Sequence, residues 1–175
     1  MDEKQLKTYN YVGAESIHRS VINYPIGTQI KSQLNLQNWL ETTQQKPNHF
    51  GCIEATFIID LTGYLRLAHR HSEHVACSGG QPVLSAGEIF LNTRNDTFEV
   101  IEISNQSTGF CPEPKSWSYV ADALNKIPLV HPNKFTIEFQ FRRCPDCQQL
   151  NIIKENLFVC DVCRAELPLI WNCEG

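Results

Sequence analysis

The apolar and polar positions of three parts of the chain are typical of β-strands. Residues 53–59 are rich in β-branched and aromatic side chains, residues 64–68 resume that pattern, and residues 135–141 (FTIEFQF) alternate at every position. Alternation sends successive side chains to opposite faces of a strand. We therefore predict a β-strand in each segment, and the last of them should be half-buried.

Turn residues join the predicted strands into two hairpins. Residues 60–63 (DLTG) offer an aspartate at the turn start and a glycine where a positive φ is required. The second hairpin pairs residues 88–91 with residues 97–103 across a polar turn at residues 92–96. Apolar side chains on both faces of 97–103 indicate a central strand.

Two segments have the apolar spacing of an amphipathic helix. Leu36, Trp39 and Leu40 are spaced i, i+3, i+4. A second helix should begin at Ser116 as its N-cap and end before Pro128. Its inward positions are expected to be Trp117, Val120, Ala121 and Leu124.

Hairpins imply antiparallel pairing, and the predicted strands outnumber the predicted helices. The expected fold is therefore α+β, with a mainly antiparallel sheet and one or two helices. We expect two units, an α+β domain over residues 1–134 and a smaller one over residues 135–175, packed on the first or continuous with it.

Composition and charge narrow the class of protein. The chain is 42% hydrophobic and 19% charged, as folded globular proteins are. Its net charge is −4 and no basic block exceeds Arg142-Arg143, which gives little support for nucleic-acid binding. The start MDEKQLKTYNYV has no apolar signal region, and no apolar run approaches the ~20 residues that cross a bilayer. We expect a soluble, cytoplasmic protein without a membrane part.

Cysteine spacing carries the most specific chemistry. Four of the eight cysteines form two C-x-x-C pairs separated by 12 residues: Cys144, Cys147, Cys160 and Cys163. A reducing cytosol disfavours disulfides, so the paired cysteines are interpreted as metal ligands. Each pair can turn two sulfurs towards one ion, and two pairs complete a tetrahedron.

The doubled pair resembles the zinc-ribbon family, with its rubredoxin-like knuckles, over roughly the last 35 residues only. The resemblance implies one structural Zn²⁺, because four thiolates leave no open position for water. A tight hairpin centred on residues 154–156 should return the second pair beside the first. Ribbon knuckles often carry glycine after the second cysteine, where Gln148 and Arg164 stand here. Chance spacing and a thioredoxin-like redox pair are the alternatives, but the latter needs a βαβ context.

Polar residues between positions 69 and 109 suggest a second site. His69, His71 and His74 form an H-x-H-x-x-H cluster that could hold a second metal ion or supply a general base. The alternative is a solvated strand end rich in polar residues.

A loop-built catalytic site is one interpretation of this region. Glu88 begins one strand of the second hairpin and Asn105 follows its partner, so both should lie at the same end of the sheet. The preceding loop brings His71, Glu73 and His74 to that end. We therefore take these five residues as candidate catalytic residues, although turn chemistry alone also explains Gly, Asn and Ser here.

Two hypotheses of function follow from the sequence. In the first, the chain is a zinc-containing binding or adaptor module with a protein partner or, with less support, nucleic acid. In the second, it is a small enzyme, of toxin, effector or defence type, that acts on a nucleotide-like or other polar substrate through residues 69–109. An enzyme should bring Glu88 and a histidine together in a concave pocket, whereas a binding module should leave them solvated and apart.

Overall fold

A computed structural model describes residues 6–93 and 97–174 of the chain. Its main sheet is antiparallel throughout and has the strand order β1-β3-β2-β4-β5. The strands are β1 (Thr28–Ile30), β2 (Cys52–Ile59), β3 (Leu65–His69), β4 (Ser85–Asn92) and β5 (Glu99–Ile103). The predicted α+β class with an antiparallel sheet is confirmed.

The described residues form four helices, so the expected number of one or two was too small. They are α1 (Glu15–Val21), α2 (Gln33–Thr43), α3 (His74–Ser78) and α4 (Trp117–Lys126), the last preceded by a 3-10 turn at Pro114–Ser116. The two unpredicted helices, α1 and α3, have only seven and five residues. Helices this short depend on tertiary packing rather than on periodicity, which explains why no pattern indicated them.

Both predicted hairpins are present. Gly63 has a φ of 79°, and the Asp60 carboxylate accepts hydrogen bonds from the backbone N–H groups of Thr62 and Tyr64. In the second hairpin, β4 pairs with β5 and the register shifts between Phe90 and Leu91. β5 lies at the edge of the sheet, so the predicted central position of this strand was wrong. Part of the predicted turn at residues 92–96 lies outside the described residues.

One face of the sheet is fully covered by helices α2 and α4. Leu36 and Trp39 from α2 and Val120 and Leu124 from α4 pack on alternate residues of the strands, such as Phe57. Burying a large apolar side chain contributes about 1.5–3 kcal/mol, so this layer is the main source of stability.

Two details of α4 differ from the prediction. The inward residue is Ala123, which is buried, rather than Ala121. Ser116 occupies the N-cap position without capping, because its hydroxyl is hydrogen-bonded to that of Ser85, 2.8 Å away. Tertiary contacts at the sheet surface thus outweigh the local capping preference.

The opposite face of the sheet is covered over only half its length. Ile58 and Ala86 pack under Tyr9, Phe110 and α3. Beyond this covered half the same face presents polar side chains, among them Glu54 and Glu88. On the helix-covered face, a Cβ at Gly87 would lie 1.9 Å from the Ser104 carbonyl oxygen, so β4 and the end of β5 approach closely there.

Residues 135–140 do not form the predicted strand. Only Phe141 of that segment is in a strand, β6 (Phe141–Arg143), which pairs with β7 (Leu150–Ile152) in a separate two-stranded sheet. The preceding residues meet the end of β5, where Thr136 N donates to Ile103 O at 2.9 Å and Ile137 forms an isolated parallel bridge with Ser104. Phe135 is buried in the core but Ile137 is exposed, so the alternation corresponds neither to a continuous ladder nor to one buried face. The division at residue 134 stays a prediction.

None of the helices in the described residues is long and apolar enough to span a bilayer.

Candidate functional site

The four paired cysteines meet in a C-terminal unit, the cysteine module, which comprises residues 141–174. Their sulfur atoms all lie within 4.8 Å of one another. Sγ of Cys144 is 3.5 Å from that of Cys163, and Sγ of Cys147 is 3.6 Å from that of Cys160. These separations exceed the ~2.05 Å of a disulfide and suit ligands that share one ion. The group could therefore hold a metal ion.

The two C-x-x-C turns have the same backbone hydrogen bonds. Gln148 N donates to Cys144 O at 3.0 Å, and Arg164 N donates to Cys160 O at 3.1 Å. The backbone N–H of the first cysteine in each turn donates to the carbonyl oxygen of the residue five positions later. Cys144 N donates to Gln149 O and Cys160 N donates to Ala165 O, both at 2.8 Å. Gln148 and Arg164 adopt positive φ values of 63° and 69°. These are the positions where glycine would relieve strain.

A tight turn brings the second pair back to the first. Leu157 N donates to Lys154 O at 2.9 Å, and the two residues between them, Glu155 and Asn156, have φ values of 52° and 57°. Two consecutive positive φ values are typical of a type I′ hairpin turn. The predicted hairpin at residues 154–156 is confirmed.

Hydrogen bonds support Cys160 in particular. Its sulfur accepts from Val162 N at 3.4 Å and from Asn151 Nδ2 at 3.6 Å. Backbone N–H groups of Cys163 and Val162, together with the Asn151 amide, lower the pKa of Cys160 to about 6. Such donors stabilise a thiolate, which is the form that binds a metal.

Arg142 attaches the C-terminal tail to the module. Its buried guanidinium donates to the carbonyl oxygens of Pro168, at 2.9 Å, and of Leu169, at 2.6 Å. Trp171 then packs on Tyr9 and donates its Nε1–H to Cys111 O at 2.8 Å. The module is thereby tied to the main sheet.

A cleft lies where the cover of the second sheet face ends. Its volume is about 570 Å³. The floor is formed by Glu88 and Phe90 of β4 and Glu54 of β2. The walls come from Arg70, His71 and His74 and from residues 106–108. We call this the sheet cleft.

His74 and Glu88 approach one another in the sheet cleft. Nε2 of His74 lies 3.5 Å from Oε1 of Glu88 and 2.9 Å from the Gly87 carbonyl oxygen. Because a carbonyl oxygen only accepts, Nε2 carries the proton of the neutral ring, and Nδ1 is left as an acceptor. Burial lowers the pKa of His74. Burial, and then the charge of Glu54, raise the pKa of Glu88 to about 7.

An ion pair borders this acid–base pair. Arg70 Nη1 donates to Glu54 Oε2 at 2.9 Å, and Asn48 Nδ2 donates to the other carboxylate oxygen at 3.0 Å. The Asn48 amide and the Arg70 guanidinium hold the pKa of Glu54 below its usual value. Buried Thr56 fixes the adjoining turn, since its hydroxyl is shared between the carbonyl oxygens of Ser72, at 3.2 Å, and Arg70, at 3.4 Å.

The five candidate catalytic residues are placed differently. His71, His74 and Glu88 line the sheet cleft, although His71 is exposed and accepts a hydrogen bond from Arg70 Nε at 3.2 Å. Glu73 is exposed and precedes α3 outside the cleft lining. Asn105 is fully buried, and its amide binds backbone groups of Pro112 and Phe139.

Sequence reasoning missed Glu54, Thr56 and Arg70. The available signal was the pair of polar side chains two positions apart, Glu54 and Thr56, inside a strand that is otherwise apolar. That pattern marks the uncovered half of a sheet face.

The histidine cluster does not assemble as a metal site. Among the described residues, the four cysteines form the only group of three or more His, Cys, Asp or Glu that could hold an ion. His69 ends β3, where it pairs with Ala55, whereas His74 lies on α3 and faces Glu88.

Comparison with protein-family models, with curated proteins and with solved structures finds no significant match to this chain.

Proposed function

We propose that the cysteine module is a zinc ribbon holding one structural Zn²⁺, and that the sheet cleft is the acid–base site of a small enzyme. The proposed substrate is a nucleotide-like or other polar small molecule. The two parts of the proposal rest on separate observations.

Support for zinc comes from the donor set and its geometry. Thiolates ~2.3 Å from one ion at tetrahedral angles lie ~3.8 Å apart, close to the two short sulfur–sulfur distances in the module. Four soft sulfur ligands favour Zn²⁺ over ions that prefer oxygen. Bound through four thiolates, the ion would have no open position, so it would cross-link residues 144–163 rather than take part in a reaction.

The observation that carries the enzyme proposal is the 3.5 Å approach of His74 to Glu88 within a concave pocket. A binding surface has no need to hold a carboxyl with a pKa of about 7 beside a neutral imidazole. Such a carboxyl is divided between its two protonation states at neutral pH. It can therefore accept a proton from a bound substrate or water and return it later in the reaction.

The remaining cleft residues have supporting roles in this proposal. His74 Nε2–H donates to Gly87 O, which holds the imidazole 3.5 Å from the Glu88 carboxylate. The Glu54 charge keeps the pKa of Glu88 high. Arg70 offers a guanidinium edge to polar groups of the substrate.

A substrate panel with one matched pair of variants tests the proposal. Nucleosides, nucleotides and sugar phosphates are incubated with wild type, with Glu88→Gln and with Glu99→Gln, a carboxylate on the exposed side of β5. We expect turnover by wild type and Glu99→Gln, a loss of about 10²–10⁴-fold in Glu88→Gln, and a kcat/KM profile with an apparent pKa near 7. Full activity in Glu88→Gln would overturn the assignment.

A toxin-type role has its own test. Expression of the wild type in a bacterial host should arrest growth, whereas expression of Glu88→Gln at the same level should not. Equal growth in both cultures would remove this part of the proposal.

A binding or adaptor role is the second candidate, and two exposed side chains favour it. Leu169 and Ile170 are 74% and 82% exposed on the cysteine module. If the module recognises a partner, the double variant Leu169→Ser/Ile170→Ser should lose that partner while Glu88→Gln retains it. The reverse result would favour the enzyme.

A further inference from the structure

A second cavity adjoins the sheet cleft and shares three of its residues. This outer cavity has a volume of about 490 Å³ and borders the sheet cleft at Glu54, Arg70 and Phe90. Phe90 follows Glu88 by two positions on β4, so the two side chains lie on the same sheet face, about 7 Å apart. A ligand of moderate size can therefore occupy both spaces.

One part of the outer cavity's lining is aromatic and apolar. Phe50 is 70% exposed and Ile101 is 44% exposed, and both border the cavity together with Phe90. The rings of His49 and Phe50 lie 4.0 Å apart, centroid to centroid. A flat apolar surface beside a polar cleft suits a planar ring, which stacks on aromatic side chains.

Two carboxylates line the outer cavity, together with the polar side chains of Asn48, His49 and Arg70. Glu102 lies opposite Phe90 on β5, and its half-buried carboxylate has no hydrogen-bond partner among the described residues. The carboxylate of Glu54 also borders the space. Ionised carboxylates only accept hydrogen bonds, so they select a ring that carries N–H donors.

We propose that the outer cavity binds an amino-substituted heteroaromatic ring, the chemistry of an adenine, cytosine or guanine base, against Phe50 and Phe90. Glu102 accepts a hydrogen bond from the amino group of that ring. This inference rests on the proposed function for the reactive end of the ligand, which lies at Glu88. It narrows the substrate class to nucleosides or nucleotides with an amino base.

Paired nucleosides test the recognition of the amino group. Adenosine with inosine, and cytidine with uridine, differ at the base by an amino group replaced by a carbonyl. Titration calorimetry should show at least one amino member binding about tenfold more tightly than its partner, because the proposed hydrogen bond from the exocyclic amino group to Glu102 is lost in the other. Equal affinity within both pairs, or no binding by any of the four, would overturn the inference.

Variants of the outer cavity separate stacking from amino-group recognition. Phe50→Ala should weaken both members of the preferred pair by about tenfold, whereas Phe50→Tyr retains a ring and should bind as wild type does. Glu102→Gln should abolish the preference for the amino member. Glu99→Gln, on the same strand, should leave that preference intact. If free ribose or choline binds as tightly as the preferred nucleoside, the cavity does not recognise a base and the inference is wrong.

Binding is measured on Glu88→Gln as well as on wild type, so that recognition is scored without turnover. If amino nucleosides bind but Glu88→Gln leaves turnover intact, the proposed function fails and the base subsite stands. If Glu88→Gln abolishes turnover of a compound that has no aromatic base, such as a sugar phosphate, the base subsite fails and the acid–base site stands.

Discussion

The cysteine module and the sheet cleft are built in opposite ways. Four cysteines within residues 144–163 form the centre of the module, and the sulfur of Cys160 accepts hydrogen bonds from Val162 N and the Asn151 amide. The cleft is assembled from residues as far apart as Glu54 and Thr108, and its central carboxyl and imidazole have shifted pKa values. A closed thiolate shell stabilises the chain, whereas an open cleft with groups ready to exchange protons is suited to a reaction.

This contrast predicts that damage to the module costs stability and damage to the cleft costs activity. Natural active sites often hold groups that reduce stability, because their arrangement is selected for chemistry. Four substitutions test the contrast, from the largest expected effect to the smallest.

Loss of one module cysteine should have the largest effect. Structural zinc contributes on the order of 10 kcal/mol of binding free energy in zinc-finger peptides, and that energy is coupled to folding. Cys160→Ser should therefore lose its metal and the hydrogen-exchange protection of residues 141–174, while β2 and β4 remain protected. Cys52→Ser, outside the cluster, is the control. A wild-type protein with well under one zinc per chain would disprove the metal assignment.

Removal of the Arg142 guanidinium should be the next most costly change. Arg142→Ala leaves the carbonyl oxygens of Pro168 and Leu169 without their donor, so we expect a loss of about 3 kcal/mol in the free energy of unfolding. Urea denaturation measures it. Arg143→Ala removes only an exposed hydrogen bond to Gln148 and should cost well under 1 kcal/mol. Equal losses in the two variants would show that the tail is not held by Arg142.

Glu88→Gln should stabilise the fold in a pH-dependent way. The folded pKa of Glu88 is about 7 against 4.5 for an ordinary glutamate, so the folded state holds its proton more tightly. The stabilisation from that proton is complete below pH 4.5 and is lost as the pH rises through 7.

Wild type should therefore be less stable than Glu88→Gln by about 2 kcal/mol at pH 8, because partial solvent exposure screens part of the full effect. The two proteins should have similar stability at pH 4. Thermal unfolding across this range measures the difference. A constant difference at every pH would mean that Glu88 has no raised pKa.

Gln148→Gly should have the smallest effect and the opposite sign to the other changes in the module. Glycine adopts the positive φ of this position without strain, so we expect a gain of about 0.5–1 kcal/mol. Gln149→Gly, next to it but without a positive φ, should destabilise the protein by a similar amount. The midpoint of thermal unfolding checks both variants.

The parts of the fold that the sequence predicted well are those with a local cause. Residues 60–63 contain the aspartate and glycine that their turn needs, and α2 and α4 have a helical apolar period long enough to recognise. The predicted strand at residues 135–141 failed because apolar alternation does not supply the partner strand that ladder hydrogen bonds require. Residues 135–140 have one isolated bridge, from Ile137 to Ser104, and Ile137 is exposed.

The candidate site was only partly accessible to sequence reasoning. Glu88 and His74 were selected because a hairpin end and a histidine-rich segment were expected to meet. Asn105 was selected for the same reason, but its side chain is used inside the fold. Glu54 and Arg70 were missed, since their proximity depends on the pairing of β2 with β3.

The four-cysteine cluster was determined by the sequence itself, because two short turns and one hairpin bring all four sulfurs together over 20 residues. The sheet cleft was decided only by the tertiary structure. It exists because Tyr9, Phe110 and α3 cover one half of a sheet face and leave the other half open. No local pattern can specify how much of a sheet face the other segments cover, since that depends on residues distant in the chain and on how they pack.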